Sequence, residues 1–378
     1  MTRFPDQFAP LAAQPSITSC TRRSALGLAA LLALPARLSA ESAASGWKTL
    51  ATEVYKGKQD DLSALPGGEL AWYGNGAGKL FATRDGGESW EKLWDRPGTF
   101  IRALGFVDAE NGFLGNVGTG YYPGVTDQTP LYRTRDGGIS WTPVPVSGFP
   151  ANGGICAIHI LPQRRIFQGE TRNVPVIHAA GRVGGPAFVL GSEDGGESWR
   201  TIDLSAQAGM ILDVHFHDAQ HGLIAASTSA EVEKGQALIL RTRDGGNSWQ
   251  TAYRGARAFE NIWKMSFPTP LVGYATVQSY DESNPVRLVI KTTDGGASWQ
   301  EIALTQVPGT RTFGIGFADA EHGWVGTRAC GFETRDGGQS WTRVDAMGPA
   351  VNKIRIVEHG GGKRVFAIGQ QVSRLDLT

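Results

Sequence analysis

The sequence predicts an all-β, seven-bladed β-propeller, and three observations carry that expectation. An eight-residue turn motif recurs six times, a second strand–turn–strand element recurs between the copies, and the composition favours turns over helices. Glycine accounts for 51 of 378 residues, alongside 19 prolines and 11 tryptophans. Long helical bundles do not fit that usage. Lys+Arg and Asp+Glu are both 36, and the pI lies near 7.1. Such a balance lacks the basic excess of a nucleic-acid binder. Three cysteines, Cys20, Cys156 and Cys330, exclude a disulfide-dense scaffold.

The first copy of the motif is Thr83-Arg84-Asp85-Gly86-Gly87-Glu88-Ser89-Trp90. It returns with its aspartate at Asp136, Asp194, Asp244, Asp294 and Asp336, always as [Ser/Thr]-x-Asp-Gly-Gly-x-Ser-Trp. The aspartates are 51, 58, 50, 50 and 42 residues apart, the length of one four-stranded blade. Asp-Gly-Gly supplies the positive φ angles of a tight turn, and the carboxylate accepts hydrogen bonds that fix it. The tryptophan opens the next strand and buries a large apolar ring beside the turn. These six aspartates are therefore read as structural.

The second element is Gly105 to Phe113, repeated as His215 to Leu223 and Gly316 to Trp324, with a looser copy from Ser266 to Tyr274. Each reads as an inner strand, an Asp-started turn and a second strand. The boxes then define blades at roughly 56–95, 99–146, 152–204, 209–253, 260–304 and 311–345. The tail offers three strands without a box, Lys353 to Val357, Arg364 to Ile368 and Gln371 to Leu377. The segment Gly46-Trp47-Lys48-Thr49-Leu50 looks like the missing outer strand, so a ring of 46–378 closed by its N-terminal strand is predicted.

Residues 1–45 read as an export signal and short linker. Arg22-Arg23 precede an apolar run from Ala25 to Leu34, then Pro35 and small residues offering cleavage after Ala40 or Ala44. The paired arginines resemble a twin-arginine signal. The run is about ten residues, against roughly 20 for a membrane span. The poverty of Arg and Ser in residues 1–20 argues against a plastid transit segment, so a bacterial periplasm is the expected address.

The boxes resemble the Asp-box (BNR) repeat of sialidases and other propellers. The combination of export signal, opening Trp strand, six boxes and Phe-x-Asp-x-x-x-Gly-[Trp/Phe] elements resembles the photosystem II stability/assembly factor family. That resemblance implies a seven-bladed propeller acting without catalysis, which docks a membrane-protein complex or its assembly intermediates. It implies the thylakoid lumen in a photosynthetic cell, and a functional surface associated with an arginine-rich patch.

In a propeller the loops opposite the box turns commonly carry the site. Arg102, Arg182, Arg257, Arg311 and Arg328 are placed there as candidate docking residues, with Tyr121, Tyr122, Trp263 and Tyr280. The protein is expected to be a monomer that binds no nucleic acid and uses no cofactor or metal. The alternative is a sialidase-type glycan hydrolase or glycan-binding propeller, with Glu260, Asp281 and Glu282 as available carboxylates. Against it, the Phe/Tyr-Arg-Ile-Pro segment of sialidases has no match, since Phe100-Ile101-Arg102-Ala103 departs from it. His215, His217 and His221 share a strand and its turn, but no further ligand stands at metal-site spacing.

Overall fold

The computed structural model describes residues 46–167 and 170–378. The predicted export signal falls on residues 1–45, outside the described residues. Among the described residues, seven antiparallel sheets of four strands form the blades of a propeller. Blades 1 to 6 span 59–95, 101–143, 157–203, 210–258, 260–305 and 312–344. Blade 7 takes its first three strands from 353–377 and its outermost from Lys48–Leu50. The helical elements described are two 3₁₀ turns, Val232–Lys234 and Asp345–Met347. No described helix is long and apolar enough to cross a membrane.

Burial follows strand order because each blade is covered on both faces by its neighbours. First strands such as Ile101–Phe106 and Thr312–Phe317 are buried at every position, which is why they read as apolar runs rather than alternations. Fourth strands such as Glu91–Asp95 lie at the rim of the ring and are exposed or half-buried throughout. Aromatic rings fill the gaps between blades. Trp72 stacks on Phe106 at 3.7 Å and Tyr274 on Phe317 at 3.6 Å, each pair joining two adjacent blades.

All six Asp boxes lie between the third and fourth strands. In the first, Asp85 Oδ1 accepts from the Thr83 hydroxyl at 2.7 Å and the Ser89 N–H at 2.9 Å, and Oδ2 accepts from the Ser89 hydroxyl at 2.6 Å. The Gly87 N–H closes the loop on the Thr83 hydroxyl. The first glycine of each box has φ between 67° and 75° and the second between 82° and 98°. A side chain there would be strained, which explains the invariance of the pair among the six copies. The second element also folds as expected. Asp108, Asp218 and Asp319 each accept from the backbone N–H groups two and three residues ahead.

One interval departs from a plain blade. The 58-residue spacing before Asp194 holds an extra hairpin, Arg164–Phe167 paired with Glu170–Asn173, between the first and second strands of blade 3. The short 42-residue spacing reflects a three-residue connection, 328–330, between the second and third strands of blade 6.

Ring closure occurs as predicted. Lys48, Thr49 and Leu50 pair antiparallel with Arg374, Ser373 and Val372. Trp47 is buried and meets Trp324 of blade 6 edge-to-face at 5.9 Å, within a cluster that includes Met347, Val351 and Val365. Trp47→Ala should therefore cost about 3–5 kcal/mol. Deletion of 46–51 should lower the melting temperature further, because it uncovers the edge of blade 7 as well. An unchanged melting temperature in the deletion would contradict closure.

The boxes also make the ring sensitive to acid. The Ser248 hydroxyl and N–H and the Thr242 hydroxyl hold Asp244 down to about 2. Burial pushes Asp194 and Asp294 upward, and the bonds from Ser198 and Ser298 outweigh it, leaving both at about 2. Carboxylates held below their unfolded value stabilise the fold above about pH 4 and lose that contribution as pH falls towards 2. Melting temperature should drop steeply across that window, and Asp244→Ala should lower it at neutral pH while making the acid drop shallower.

Candidate functional site on the face opposite the Asp boxes

The first strands bring ionisable side chains from several blades into the centre of the ring. At the end away from the boxes, Asp60 of blade 1 accepts from Lys58 at 2.6 Å and from Arg102 of blade 2 at 2.8 Å. The Arg102 guanidinium also lies 4.9 Å from the Trp263 ring of blade 5. Trp263 donates to Asn352 at 2.9 Å, and Asn352 donates to the Asp60 carbonyl at 2.7 Å. One polar cluster thus joins blades 1, 2 and 5 to the segment that leads into blade 7.

A second layer lies further along the same strands. Asp61 pairs with Lys353 at 3.2 Å and accepts from the Leu104 N–H at 2.9 Å. Asp213 pairs with Lys264 at 3.6 Å and accepts from the Met265 N–H at 3.0 Å. Asp61 and Asp213 both sit at irregularities in strand register, which turn the carboxylate towards the next blade. Burial lowers both Lys58 and Lys353 to about 8, with the facing aspartates resisting the fall. Beyond these layers, a cavity of about 230 Å³ opens on the box side, lined by Ser63, Phe106, His159 and Arg355 among others.

The structure separates the predicted docking residues into two groups. Arg102 is 1% exposed and Trp263 is fully buried, so both belong to the interior cluster rather than to a surface patch. Arg182 is also buried, with its guanidinium committed to the carbonyls of Gly185, Val117 and Thr119. Tyr121 lies 5.9 Å from that guanidinium and packs edge-to-face on Tyr122 at 4.7 Å. These residues consolidate the centre and the 117–130 loop.

The remaining candidates gather at the rim between blades 4, 5 and 6. Arg257 pairs with Glu260 at 2.8 Å. Arg311 is itself buried, lying over the Tyr280 ring at 4.3 Å, and the half-buried Arg328 donates its N–H to the Arg311 carbonyl at 2.8 Å. Sequence reasoning missed two neighbours. Arg287 is buried and donates to the carbonyls of Asp281, Asn284 and Thr310, which fixes the 280–286 loop. Phe259 has φ of +63° and is 37% exposed, a strained backbone that presents an aromatic ring at the blade 4–5 junction. Its place directly between two strands was the available signal.

The carboxylates of the hydrolase alternative have other tasks. Burial raises Glu260 to about 7 despite the opposing Arg257 charge. Asp281 caps its own turn through the Ser283 N–H at 2.9 Å and hydroxyl at 2.6 Å, while Glu282 is exposed. His215 and His217 approach at 3.3 Å, whereas His221 turns to Asp218 at 2.9 Å. No group of three or more His, Cys, Asp or Glu among the described residues is placed to hold a metal ion. Cys156 and Cys330 are buried free thiols.

The interior cluster is testable through its central acid. Asp60→Ala strands Lys58 and Arg102 as buried cations and should cost about 3–5 kcal/mol of stability by denaturant melting. Replacing Asp60 and Arg102 together with Ala and Met should cost less than Asp60→Ala alone, since the orphaned guanidinium is then gone.

Residues 197–312 match the family model described as Photosynthesis system II assembly factor YCF48. The structure titled "YCF48 bound to D1 peptide" shares 18% identity with a TM-score of 0.60, over 88% of this chain and 98% of that one. YCF48 from Cyanidioschyzon merolae aligns at 16% identity and a TM-score of 0.60, over 87% and 98%. A GH74 enzyme from Niastella koreensis matches at 16% identity and a TM-score of 0.57, over 83% of this chain and 50% of that one. No curated protein matches the sequence. At these identities the structural likeness is one of fold, and the family model adds the sequence signal across blades 4 and 5. The chain is a seven-bladed Asp-box propeller with the fold of the YCF48 structures, and its residues 197–312 match the family model of that photosystem II assembly factor.

Proposed function

We propose that this propeller is an exported, non-catalytic assembly or stability factor that docks a membrane-protein partner on the face opposite the Asp boxes. The observation that carries the reading is the rim between blades 4, 5 and 6. It combines the half-buried Arg257 and Arg328 and the buried Arg311 with the rings of the half-buried Tyr280 and the exposed Phe259. Arginine beside exposed aromatic surface is the usual make-up of a protein-binding hot spot. The family-model match and the YCF48 structure carrying a D1 peptide support a peptide segment of a membrane protein as the ligand. The twin-arginine-like segment supports delivery to the periplasm, or to the lumen in a thylakoid-bearing cell. The glycan reading has the GH74 likeness in its favour, but Asp281 is committed to its turn and Glu260 to Arg257.

Titration of a labelled D1 peptide into the folded propeller tests the proposal. Saturable binding is expected, and changing Arg311 and Arg328 together to Ala should weaken it by about tenfold or more while circular dichroism shows the ring still folded. Turnover of a sialoside or β-glucan that disappears in Glu260→Gln would overturn the non-catalytic reading. Change of Arg22 and Arg23 to Lys should leave unprocessed precursor in the cytoplasm, and continued export would overturn the twin-arginine route.

A further inference from the structure

The six boxes act as internal controls for one another, and comparing them exposes a vacant ion clamp. The sixth residue of each box faces the blade before it. In three of the four boxes where that residue carries an acceptor oxygen, basic side chains of the preceding blade hold it, while Gln339 of blade 6 donates to the Asp336 carbonyl of its own turn. Glu88 of blade 1 is held by Lys48 at 2.7 Å and Arg374 at 2.9 Å, both from blade 7. Glu197 of blade 3 is held by Arg133 at 2.8 Å and Arg135 at 3.1 Å, both from blade 2. Asn247 of blade 4 accepts through its side-chain oxygen from Arg200 of blade 3.

Blade 4 carries the same cationic half of the clamp. Arg241 and Arg243 flank Thr242 as Arg133 and Arg135 flank Thr134. The box they face, in blade 5, has Ala297 where blade 3 has Glu197. Its backbone is placed alike, since the Ala297 N–H donates to Asp294 Oδ1 at 2.9 Å and the Glu197 N–H to Asp194 Oδ1 at 3.0 Å. In place of the missing carboxylate is a cavity of about 130 Å³ lined by Arg241, Arg243, Ser248, Gln250, Thr251 and Ala297, with Ala252. Among the described residues, neither guanidinium makes a hydrogen bond or an ion pair. Asp294, whose charge acts on Arg241, is already bonded to Thr292 and Ser298. Two unneutralised cations side by side repel, and Arg241 is pushed below its ordinary value by burial and then by the Arg243 charge.

We propose that Arg241 and Arg243 form a carboxylate-binding site, filled by a Glu or Asp side chain of a partner protein. The geometry is the one that already binds a carboxylate between blades 2 and 3. The cavity is well below the roughly 300–1,000 Å³ of pockets for drug-sized ligands, so it suits a single acidic side chain rather than a glycan or nucleotide. The site lies beside the boxes at the blade 4–5 junction and is independent of the rim proposed for docking.

The test uses the folded propeller, arginine Nε–H NMR signals, and three probes: capped Gly-Glu-Gly, capped Gly-Gln-Gly and inorganic phosphate. The Glu peptide should shift the Arg241 and Arg243 signals saturably, with about tenfold or greater weakening for the Gln peptide. Arg241→Gln with Arg243→Gln should abolish the effect, while the Arg311 and Arg328 changes at the rim should leave it intact. Ala297→Glu should fill the clamp from within, eliminate peptide binding and raise the melting temperature at low salt. Equal shifts from both peptides, or undiminished binding in Ala297→Glu, would overturn the proposal. Binding of phosphate without the Glu peptide would overturn its assignment to carboxylate.

Discussion

Every blade of this protein has two apolar faces, and neither is covered until a neighbour packs against it. The pairing of Lys48–Leu50 with the strand Val372–Leu377 is the interaction that lets all seven blades satisfy that constraint together. Without it the last blade keeps a free edge, and the cluster of Trp47, Trp324, Met347 and Val351 loses its lid. The short strand contributes three residues of ladder, but Trp47 anchors it against blade 6 as well as blade 7. Closure therefore rests on side-chain packing as much as on backbone pairing.

The two ends of the ring solve different problems. At the box end, Asp-Gly-Gly turns are held first by their own hydroxyls and carboxylates, and side chains of the preceding blade, such as Trp72, Arg200 and Arg374, then bond to their glycine carbonyls. At the opposite end, stability depends on groups drawn from distant parts of the chain. Asp60 serves Lys58 and Arg102, and its backbone carbonyl accepts from Asn352. Buried pairs of this kind are costly to desolvate, so they add little net stability, but losing one partner is severe. They link the first strands of several blades and so fix where the rim loops begin.

How much of this was legible in the sequence follows from how local the physics is. The boxes were legible because a positive-φ turn demands the same residues wherever it occurs, and their spacing marked six of the seven blades. The closing strand was legible from Trp47 and the three-strand tail. The inserted hairpin of blade 3 showed only as extra length in one interval. The interior cluster was not legible, since Arg102 finds Asp60 42 residues away and Asn352 bonds across 292 residues. An arginine in a loop looks the same in sequence whether it meets solvent or, like Arg182, three backbone carbonyls. The pair Arg311–Tyr280 could be assigned to the face opposite the boxes only by loop position, and its contact was not legible.

Closure can be measured directly by joining the two ends of the described chain. Thr49 lies opposite Ser373 in the register of blade 7, so Thr49→Cys with Ser373→Cys sets two thiols on paired strands. Among the described residues the native thiols, Cys156 and Cys330, are buried and do not compete. The account predicts a disulfide between positions 49 and 373 under mild oxidation of the folded protein, found by peptide mass mapping, with a raised melting temperature. Two thiols that stay reduced in the folded protein, or that join only after unfolding, would contradict a ring closed by its N-terminal strand.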